Sequence, residues 1–576
     1  MKYQANTALN LRLEGWRARL LMLLMLAGFL ALAGRALFLQ GVRYDFLQHK
    51  GEERYTRVIE STAYRGMVRD RNGDTIAISL PAASIWASRD KVELNAAQLA
   101  SLSTALHVDR AELGRRLQEG DSDFVYLKRQ VTPETAQQVA ALKLPGLFAE
   151  KGFRRTYPKG EVMSHLLGFT DANDRGQEGV ELAFQSTLAG VAGARRVIKD
   201  RAGAVIENVQ NLREQRPGQD VVLSVDSRIQ HLAWRELRAT VARHKAKAGS
   251  VLVLDPRTGE VLALANYPDY DPNARDHVVP AQLRNRSVAD TYEPGSTLKP
   301  FTVAAALEAH KVRPDTLIAT GNGIMTIGPA VIHDSHPAAA LTVAQVIQKS
   351  SNVGAARIAL SLPSATLWNL FADVGFGQQP KTGFSGEAGG RLRPYRSWRP
   401  IEQATMAYGH GISVSLAQLA RAYTIFAGDG TLKPLSLTRV DGPVPGRQVV
   451  SAQTAAEVRD MLQLVVQAEG TAPLAQVRGF HVAGKTGTAH KQERGHYSNR
   501  YISSFVGFAP ATSPQLLIAI MIDEPTVGGY YGGVVAAPMF SNLMGGALQL
   551  LGVPPDDPAS EALPPITAPA GAAADT

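Results

Sequence analysis

The chain is organised around the stretch Tyr292-Glu293-Pro294-Gly295-Ser296-Thr297-Leu298-Lys299-Pro300, which is followed by an apolar run over residues 301–309. Pro294 and Gly295 predict a turn, and the alanine-rich run behind them predicts a buried helix. Ser296 is therefore expected at a helix N-terminus, where unpaired backbone N–H groups and the helix dipole favour developing negative charge. Lys299 follows one helical turn later, on the same face as Ser296.

A serine followed by a lysine three residues later is the S-x-x-K pattern of serine acyl-enzyme chemistry. A serine hydroxyl is a poor nucleophile until a base takes its proton, and a desolvated, neutral lysine one turn away can do that. The pattern also occurs at residues 88–91, but that copy lies in a polar segment with no apolar helix after it. Ser296 and Lys299 are therefore the candidate catalytic pair.

A second candidate motif is Ser350-Ser351-Asn352, which follows a predicted helix over residues 341–349. Taken alone, a serine and an asparagine two residues apart at a helix end are usually caps or turn formers. The functional interpretation of this triplet therefore depends on the motifs that accompany it.

The third motif is Lys485-Thr486-Gly487-Thr488, in a predicted strand that is followed by another strand-like run over residues 502–509. Period-two alternation puts its two threonines on one face, and its glycine leaves room for a ligand backbone to approach. A second copy, Lys381-Thr382-Gly383, has the glycine-rich composition of a loop. The strand context selects the copy at residues 485–488.

Composition is that of a folded protein that works in anionic surroundings. The 576 residues carry a net charge of +9, with 45% hydrophobic and 20% charged residues. That length predicts more than one domain, with about four as an upper bound. The charge favours a membrane surface or an acidic polymer over nucleic acid, because the basic residues are spread out and no nucleic-acid motif occurs. The absence of cysteine excludes disulfides, thiol catalysis and cysteine–zinc sites.

An apolar N-terminal segment predicts a transmembrane anchor over residues 20–40. Residues 20–34 carry no charge, and about twenty apolar residues span a bilayer. The basic segment over residues 1–19 predicts a cytoplasmic tail, with everything after the anchor outside. A cleaved signal peptide is the alternative, since Ala31-Leu32-Ala33 resembles a cleavage site. The length of the apolar run favours the anchor.

Residues 41–220 predict a mixed α/β module without an active site. Hairpin turns are predicted at residues 70–73 and 200–203, and helices at residues 94–117 and 133–142 lie between them. Charge-rich segments in this module, around residues 153–157 and 174–175, are expected to be solvated surface or domain contacts.

A domain boundary is predicted near residues 216–218, where the chain reads Arg-Pro-Gly. The catalytic domain then covers residues 221–553 and begins with a strand at residues 221–225. The tail over residues 554–576 is rich in proline and alanine and carries only acidic charge. It is predicted to be disordered.

Together the three motifs resemble the signature of penicillin-binding proteins and class A β-lactamases. Further segments resemble class B penicillin-binding proteins, the bitopic peptidoglycan D,D-transpeptidases, over residues 65–73, 153–168, 178–181, 255–263, 408–412 and 507–510. The resemblance runs from the anchor to about Val553 and has the character of the division-specific, penicillin-binding protein 3-like members. One departure is His410, where this family leads us to expect an aromatic residue.

The resemblance implies an α+β multidomain fold. A single N-terminal transmembrane helix would precede an elongated mixed α/β pedestal module of the dimerisation type. The C-terminal penicillin-binding transpeptidase domain would contain an antiparallel sheet flanked by helices and an all-helical subdomain.

The resemblance also implies a role for each motif residue. Ser296 would attack the carbonyl between the two terminal D-alanines of a stem pentapeptide, and Lys299 would take its proton. Ser350 would relay a proton to the departing D-alanine, Asn352 would hold the substrate amide, and Lys485 would add positive potential. The strand would complete the site, with Thr486 and Thr488 binding the terminal carboxylate beside Gly487, and the backbone N–H groups of Ser296 and Thr488 forming the oxyanion hole.

No metal or organic cofactor is implied by this chemistry. His333 and His336 have a possible ligand spacing, but without a third ligand in view solvated histidines are favoured. The implied partners are the stem pentapeptide, β-lactams, the membrane, a polytopic lipid II polymerase and other division proteins, and not nucleic acid. The implied location is the inner membrane, crossed once, with the catalytic domain in the periplasm.

Three other interpretations stay open. One is an elongation-type or condition-specific paralogous transpeptidase. Another is a β-lactamase or β-lactam sensor, which shares the motifs but has no need of the long N-terminal module. The third is a non-catalytic septal scaffold, which would predict a broken motif, whereas all three motifs are intact here.

Overall fold

The computed structural model describes residues 14–46, 50, 56–120, 122–199, 205–493, 495–558 and 560. The helices, in chain order, are α1 (Gly15–Leu37), α2 (Ala96–Leu106), α3 (Arg110–Gln118), α4 (Pro133–Ala141), α5 (Ser164–Leu167), α6 (Gly179–Ala183), α7 (Gln185–Leu188), α8 (Ser227–His244), α9 (Pro280–Leu283), α10 (Arg286–Ala289), α11 (Lys299–Glu308), α12 (Val343–Gln348), α13 (Asn352–Leu360), α14 (Ser364–Asp373), α15 (Pro400–Met406), α16 (Leu416–Ala427), α17 (Ala452–Val465), α18 (Gly532–Val535) and α19 (Ala537–Leu550).

The strands, in chain order, are β1 (Thr56–Ser61), β2 (Val68–Arg69), β3 (Thr75–Ser88), β4 (Phe124–Val131), β5 (Leu147–Thr156), β6 (Gly193–Lys199), β7 (Val205–Arg213), β8 (Val221–Val222), β9 (Ala248–Leu254), β10 (Val261–Tyr267), β11 (Leu317–Ala319), β12 (Ile324–Ile327), β13 (Ala330–His333), β14 (Ala340–Thr342), β15 (Thr431–Leu432), β16 (Arg447–Gln448), β17 (Ala483–Glu493), β18 (His496–Ala509) and β19 (Leu516–Asp523). Residues 1–63 and 191–216 group into one compact unit, and residues 64–190 and 217–576 into another.

Helix α1 of the first unit is the predicted anchor. It continues as a π-helical turn over Phe38–Val42, and an 18-residue stretch of the combined helix has a mean hydropathy of 2.2, with its apolar side chains exposed. A helix of this length and composition can cross a bilayer once. Residues 1–13 of the predicted cytoplasmic tail lie outside the described residues.

A three-stranded antiparallel sheet, in the order β1-β6-β7, completes the first unit. Strands β6 and β7 pair as the arms of a hairpin, with Ala194 opposite Arg213. The turn predicted at residues 200–203 lies outside the described residues, but the strands on either side of it pair as a hairpin requires.

The N-terminal part of the second unit is built on a sheet in the order β4-β3-β2-β8, with β5 also paired to β3. The predicted hairpin at residues 70–73 is confirmed, because β2 and β3 pair antiparallel across it and Gly73 takes a φ of 92°. Helices α2, α3 and α4 bury apolar side chains against this sheet, among them Leu102, Leu113 and Val139.

Two details of this region differ from the predictions. The helix expected over residues 94–117 is two helices, because His107 adopts a left-handed conformation and Asp109 caps the start of α3. The strand expected over residues 221–225 is limited to β8, which pairs in parallel with β2.

The charge-rich segments of this region were expected to be solvated surface or domain contacts; they are partly buried, so the first of these alternatives was wrong for Arg155. Glu181 has no exposed side-chain surface and lies between two guanidinium groups, with Arg65 Nε and Arg155 Nε each 2.6 Å from its carboxylate. Both arginine side chains are also buried. The three residues form a compensated ionic network inside the second unit.

The C-terminal part of the second unit contains an antiparallel five-stranded sheet in the order β10-β9-β19-β18-β17. Helices α8 and α19 pack on one another and against this sheet, and α16 packs against β9 and β19. The predicted sheet flanked by helices is therefore confirmed. Strand β17, which carries Lys485, is one of the two edge strands, so one of its sides pairs with β18 and the other lies at the edge of the sheet.

A mostly helical group of elements, α11 to α17, packs beside this sheet; the expectation of an all-helical subdomain was wrong in one respect, because three small two-stranded sheets, β11-β14, β12-β13 and β15-β16, lie within it. Phe301 of α11 is fully buried, and its ring lies 5.4, 5.3 and 4.9 Å from those of Phe376, Tyr423 and Phe426. Aromatic pairs in this distance range add to the stabilisation from burial. Helix α11 is thus held firmly directly behind the predicted nucleophile.

Contacts cross two of the boundaries set from the sequence, those at residues 220 and 553, and these boundaries stay predictions. Asp70 accepts a hydrogen bond of 3.1 Å from the backbone N–H of Ser227, across the boundary at residue 220. In the predicted tail, Asp556 accepts hydrogen bonds from His481 N–H and the Thr512 hydroxyl, at 2.8 and 2.6 Å. Residues 561–576 lie outside the described residues.

Candidate active site

The turn that carries Ser296 leads into the buried helix α11, as the sequence predicted. A 3₁₀ turn over Gly295–Leu298 precedes α11, and Gly295 has a φ of 55°, a conformation that favours glycine. Lys299 is fully buried, and its Nζ donates a hydrogen bond of 3.0 Å to Ser296 Oγ. The predicted base therefore touches the predicted nucleophile.

Ser350 joins this pair to the third motif. It has a left-handed φ of 59°, and its Oγ accepts hydrogen bonds from Lys299 Nζ at 3.1 Å and Lys485 Nζ at 3.0 Å. Lys299 Nζ also donates to the backbone oxygen of Ser350. One hydroxyl between two lysine amines is arranged for proton transfer between the nucleophile side and the strand side of the site.

Burial sets the charge state of the two lysines. It holds the pKa of Lys299 well below its ordinary value, and the neighbouring charge of Lys485 acts in the same direction. Burial likewise lowers the pKa of Lys485, to about 7. Two ammonium groups that share one hydroxyl cannot both be charged cheaply. Lys299 can therefore be neutral near neutral pH, as a general base must be.

Strand β17 brings the other predicted binding residues to the same edge. The Thr486 hydroxyl lies 3.2 Å from Lys485 Nζ and 3.0 Å from Thr471 Oγ1. Thr488 Oγ1 accepts a hydrogen bond of 3.1 Å from the backbone N–H of Gly532. These contacts fix both threonines beside the lysine pair.

Gly487 lies where the strand and the serine turn come closest. A Cβ on Gly487 would lie 2.3 Å from Ser504 Oγ and 2.9 Å from the backbone oxygen of Pro294. No larger residue fits there without moving the serine turn away from β17, which explains the glycine of the K-T-G motif.

Asn352 is placed differently from the other motif residues. Its Nδ2 donates a hydrogen bond of 2.9 Å to the backbone oxygen of His333, and it begins helix α13. The middle residue of the triplet, Ser351, caps that helix and donates to Asp334 at 2.6 Å. The cap interpretation thus applies to Ser351, and the recorded side-chain hydrogen bond of Asn352 goes to His333 and not to a described lysine.

Two residues near the site, Asp334 and Glu293, had no role assigned from sequence. Asp334 binds Ser351 and the backbone N–H of Val353, and its charge favours protonated Lys299. Glu293 stands in the quoted stretch itself and is almost fully buried. The partners of Glu293 are more than a hundred positions away in the sequence. The one signal in the sequence was a charged residue inside a motif that was predicted to lead into a buried helix.

His410, the departure from the family pattern, occupies an aromatic position. Its ring centroid lies 5.1 Å from that of Tyr408 and 6.0 Å from that of Tyr497. Burial lowers the pKa of His410 to about 4, and the charge of Lys299 contributes. The imidazole is therefore neutral near neutral pH and packs as an aromatic ring would.

The duplicate motifs do not form sites. Lys381 is exposed in a loop, where its backbone N–H donates to Glu387 at 2.8 Å. Ser88 ends strand β3, and its hydroxyl donates to Asp90. Their local surroundings provide neither a buried lysine nor a helix behind the serine, which agrees with the choice made from context.

Family models match most of the chain. A penicillin-binding protein transpeptidase domain matches residues 249–545, and a penicillin-binding protein dimerisation domain matches residues 60–223. The first match contains all three motifs and the sheet that carries them.

Relatives match over nearly the whole length. The probable peptidoglycan D,D-transpeptidase PenA of Neisseria gonorrhoeae is 43% identical over 95% of this chain and 94% of its own. The peptidoglycan D,D-transpeptidase FtsI of Escherichia coli K12 is 39% identical over 94% of this chain and 93% of its own. The solved transpeptidase domain of penicillin-binding protein 3 from Burkholderia pseudomallei covers 58% of this chain and 97% of its own, at 48% identity and a TM-score of 0.54. The chain therefore belongs to the penicillin-binding protein family of peptidoglycan D,D-transpeptidases, in the group that includes FtsI and PenA.

Proposed function

We propose that this protein cross-links stem peptides of septal peptidoglycan through an acyl-enzyme on Ser296. The observation that supports this most is the shared network in which Lys299 contacts both Ser296 and Ser350, and Lys485 contacts Ser350. This network brings residues from all three motifs within hydrogen-bond distance of one another.

In the first half-reaction Ser296 Oγ attacks the carbonyl carbon between the two terminal D-alanines of a stem pentapeptide. Neutral Lys299 takes the hydroxyl proton as the Oγ–carbon bond forms. The carbon–nitrogen bond then breaks, and the leaving D-alanine amine receives a proton through Lys299 and Ser350. The free D-alanine departs, and the donor peptide stays bound as an ester.

In the second half-reaction the amine of a neighbouring stem peptide attacks the ester carbon. Its proton passes back to Ser296 Oγ through the same lysine as the ester bond breaks, which regenerates the enzyme. The new amide bond is the cross-link. The proton taken from Ser296 thus leaves with the D-alanine amine, the proton of the acceptor amine restores the Ser296 hydroxyl, and no redox partner is required.

Residues of strand β17 would bind the donor peptide and help to stabilise the oxyanion. Thr486 and Thr488 would bind the terminal carboxylate of the donor, and Lys485 would add positive potential. Asn352 would hold the amide of the donor after a change of partner from the His333 oxygen. The backbone N–H groups of Ser296 and Thr488 would form the oxyanion hole. Loss of one such donor typically costs about 10²–10³ in rate.

The protein would act at the inner membrane together with other division proteins. Helix α1 would hold the protein in the inner membrane, with the basic N-terminal tail in the cytoplasm and the catalytic domain in the periplasm. A polytopic lipid II polymerase beside the anchor would supply the polymerised, uncross-linked donor strands. Other division proteins would bring the complex to the septum, and β-lactams would acylate Ser296 as substrate analogues.

A transfer assay distinguishes the proposed cross-linking from hydrolysis by a β-lactamase-like enzyme and from a non-catalytic scaffold. The purified full chain is given a stem pentapeptide donor with and without an amine acceptor, and the products are identified by mass spectrometry. Release of D-alanine with acceptor-dependent cross-linked product, both lost in Ser296→Ala, is expected. Hydrolysis alone, or no reaction of a protein that binds penicillin, would contradict the proposal.

A fluorescent fusion tests the cellular role. Accumulation at the septum of dividing cells would support the division-specific assignment. Distribution along the side wall would favour an elongation-type paralogue instead.

A further inference from the structure

Glu293 is a buried carboxylate, three residues before Ser296, that the proposed mechanism leaves unused. Only 8% of the residue is exposed, and burial raises the pKa of its carboxyl group. Burying a carboxylate is costly unless hydrogen bonds replace its water. The partners of Glu293 therefore show what its position achieves.

Three residues, one in a loop and two in the β17–β18 hairpin, donate hydrogen bonds to this carboxylate. Gly411, in the loop after α15, donates its backbone N–H to Oε1 at 2.8 Å. Tyr497 near the start of β18 donates its hydroxyl at 3.1 and 3.2 Å to the two oxygens, and Gln492 near the end of β17 donates at 3.3 Å. Glu293 thus joins the serine turn to a loop and to the outer end of the β17–β18 hairpin.

The loop has other connections to the serine turn. Tyr292 and Val414 exchange two backbone hydrogen bonds of 3.0 Å, and Gly295 N–H lies 3.4 Å from the Gly409 oxygen. The loop would therefore stay in place without Glu293. The outer end of the hairpin, in contrast, reaches the turn through the side chains of Gln492 and Tyr497, and both of these contacts end on Glu293.

We propose that Glu293 is a positioning residue for acylation, which fixes the β17–β18 hairpin relative to the turn that carries Ser296. Lys485 and Thr488 lie further along the same strand β17, so the placement of this strand sets their distance from the nucleophile. An error of about 1 Å in such a placement can cost about a hundredfold in rate. This inference rests on the proposed function of Ser296.

Tyr497→Phe tests the contact with the least disturbance, because the ring keeps its packing against His410 and only the hydroxyl is lost. Glu293→Gln keeps an oxygen that can accept from Gly411 but removes the charge. Tyr126→Phe and Glu150→Gln are matched controls, since Tyr126 donates to Glu150 at 3.0 Å in the N-terminal part of the second unit.

The measurement is acylation by fluorescent penicillin over a range of concentrations, which separates the rate at saturation from the half-saturating concentration. We expect the saturating rate to fall about three- to tenfold in Tyr497→Phe and about tenfold in Glu293→Gln, since bonds to a buried charge are strong ones. The double variant should be no slower than Glu293→Gln alone, because the two changes weaken the same contact between Glu293 and Tyr497. Half-saturating concentrations and both controls should stay within about twofold of the unmodified protein.

Saturating rates within about twofold of the unmodified protein in both variants would overturn the inference. So would a loss confined to the half-saturating concentration, or losses that multiply in the double variant. Failure of the proposed function has a different signature, since the unmodified protein would then not be acylated at all, or Ser296→Ala would still be acylated.

Discussion

Replacing Lys485 with methionine should slow acylation and move its pH dependence, because the charge of Lys485 helps to keep Lys299 neutral. Both Nζ atoms lie within hydrogen-bond distance of Ser350 Oγ, at 3.0 and 3.1 Å. They are therefore no more than about 6 Å apart, and two unit charges at that distance repel by about 3 kcal/mol at an effective dielectric constant of about 20.

The causes of the lowered pKa of Lys299 determine in which direction the pH dependence of acylation moves. Burial and the Lys485 charge both lower the pKa of Lys299, so removing that charge raises it. At neutral pH more of Lys299 is then protonated and unable to accept the Ser296 proton. The pKa of Lys485 is itself about 7, so its charge acts on only part of the molecules at pH 7. We expect acylation at pH 7 to fall about ten- to a hundredfold, and its acidic limb to move to higher pH.

The assay is the rate of acylation by fluorescent penicillin as a function of pH. Lys381→Met is the matched control, because Lys381 belongs to the exposed copy of the motif, and it should leave rate and profile within about twofold. An acidic limb that stays in place or moves to lower pH in Lys485→Met would refute the electrostatic reasoning. Loss of acylation in Lys381→Met would show that the wrong copy was chosen.

Three further predictions concern other parts of the chain. Gly487→Ala should lower the acylation rate about a hundredfold, since its Cβ would lie 2.9 Å from the Pro294 oxygen; a rate near that of the unmodified protein would contradict the close approach of β17 and the serine turn. Glu181→Ala should lower the free energy of unfolding by about 3–5 kcal/mol, because it leaves two buried arginines unpaired; denaturant unfolding measures this, with Glu161→Ala, which breaks an ion pair with exposed partners, as the control expected to cost less than about 1 kcal/mol. N-terminal sequencing of the membrane-bound protein should find α1 retained, whereas a chain that starts near Gly34 would mean a cleaved signal peptide.

The sequence predicted those parts of the site that depend on local pattern. The turn at Gly295, the helix behind it and the strand at Lys485 can each be predicted from a short window of residues. Context alone separated the S-x-x-K and K-T-G copies that meet in the structure from their duplicates. Family resemblance then brought the three motifs together before the fold was known. The structure confirmed that Ser296, Lys299, Ser350 and Lys485 meet.

What the sequence did not predict depends on contacts between distant residues. Glu293 and Tyr497 are 204 positions apart, and Arg65 and Glu181 are 116 apart, so no window could pair them. Charge-rich composition favoured a solvated surface for Arg155, yet a carboxylate from another element made its burial possible. A single left-handed residue, His107, divided a helix that periodicity alone had joined.

The most direct test of the central claim is to locate the acyl group. The full chain is labelled with fluorescent penicillin, digested, and examined by tandem mass spectrometry, with Ser296→Ala as the control. We expect one adduct, on Ser296, and none in the variant. An adduct on Ser88 or Ser350, or labelling that survives in Ser296→Ala, would contradict the assignment of the nucleophile and the mechanism built on it.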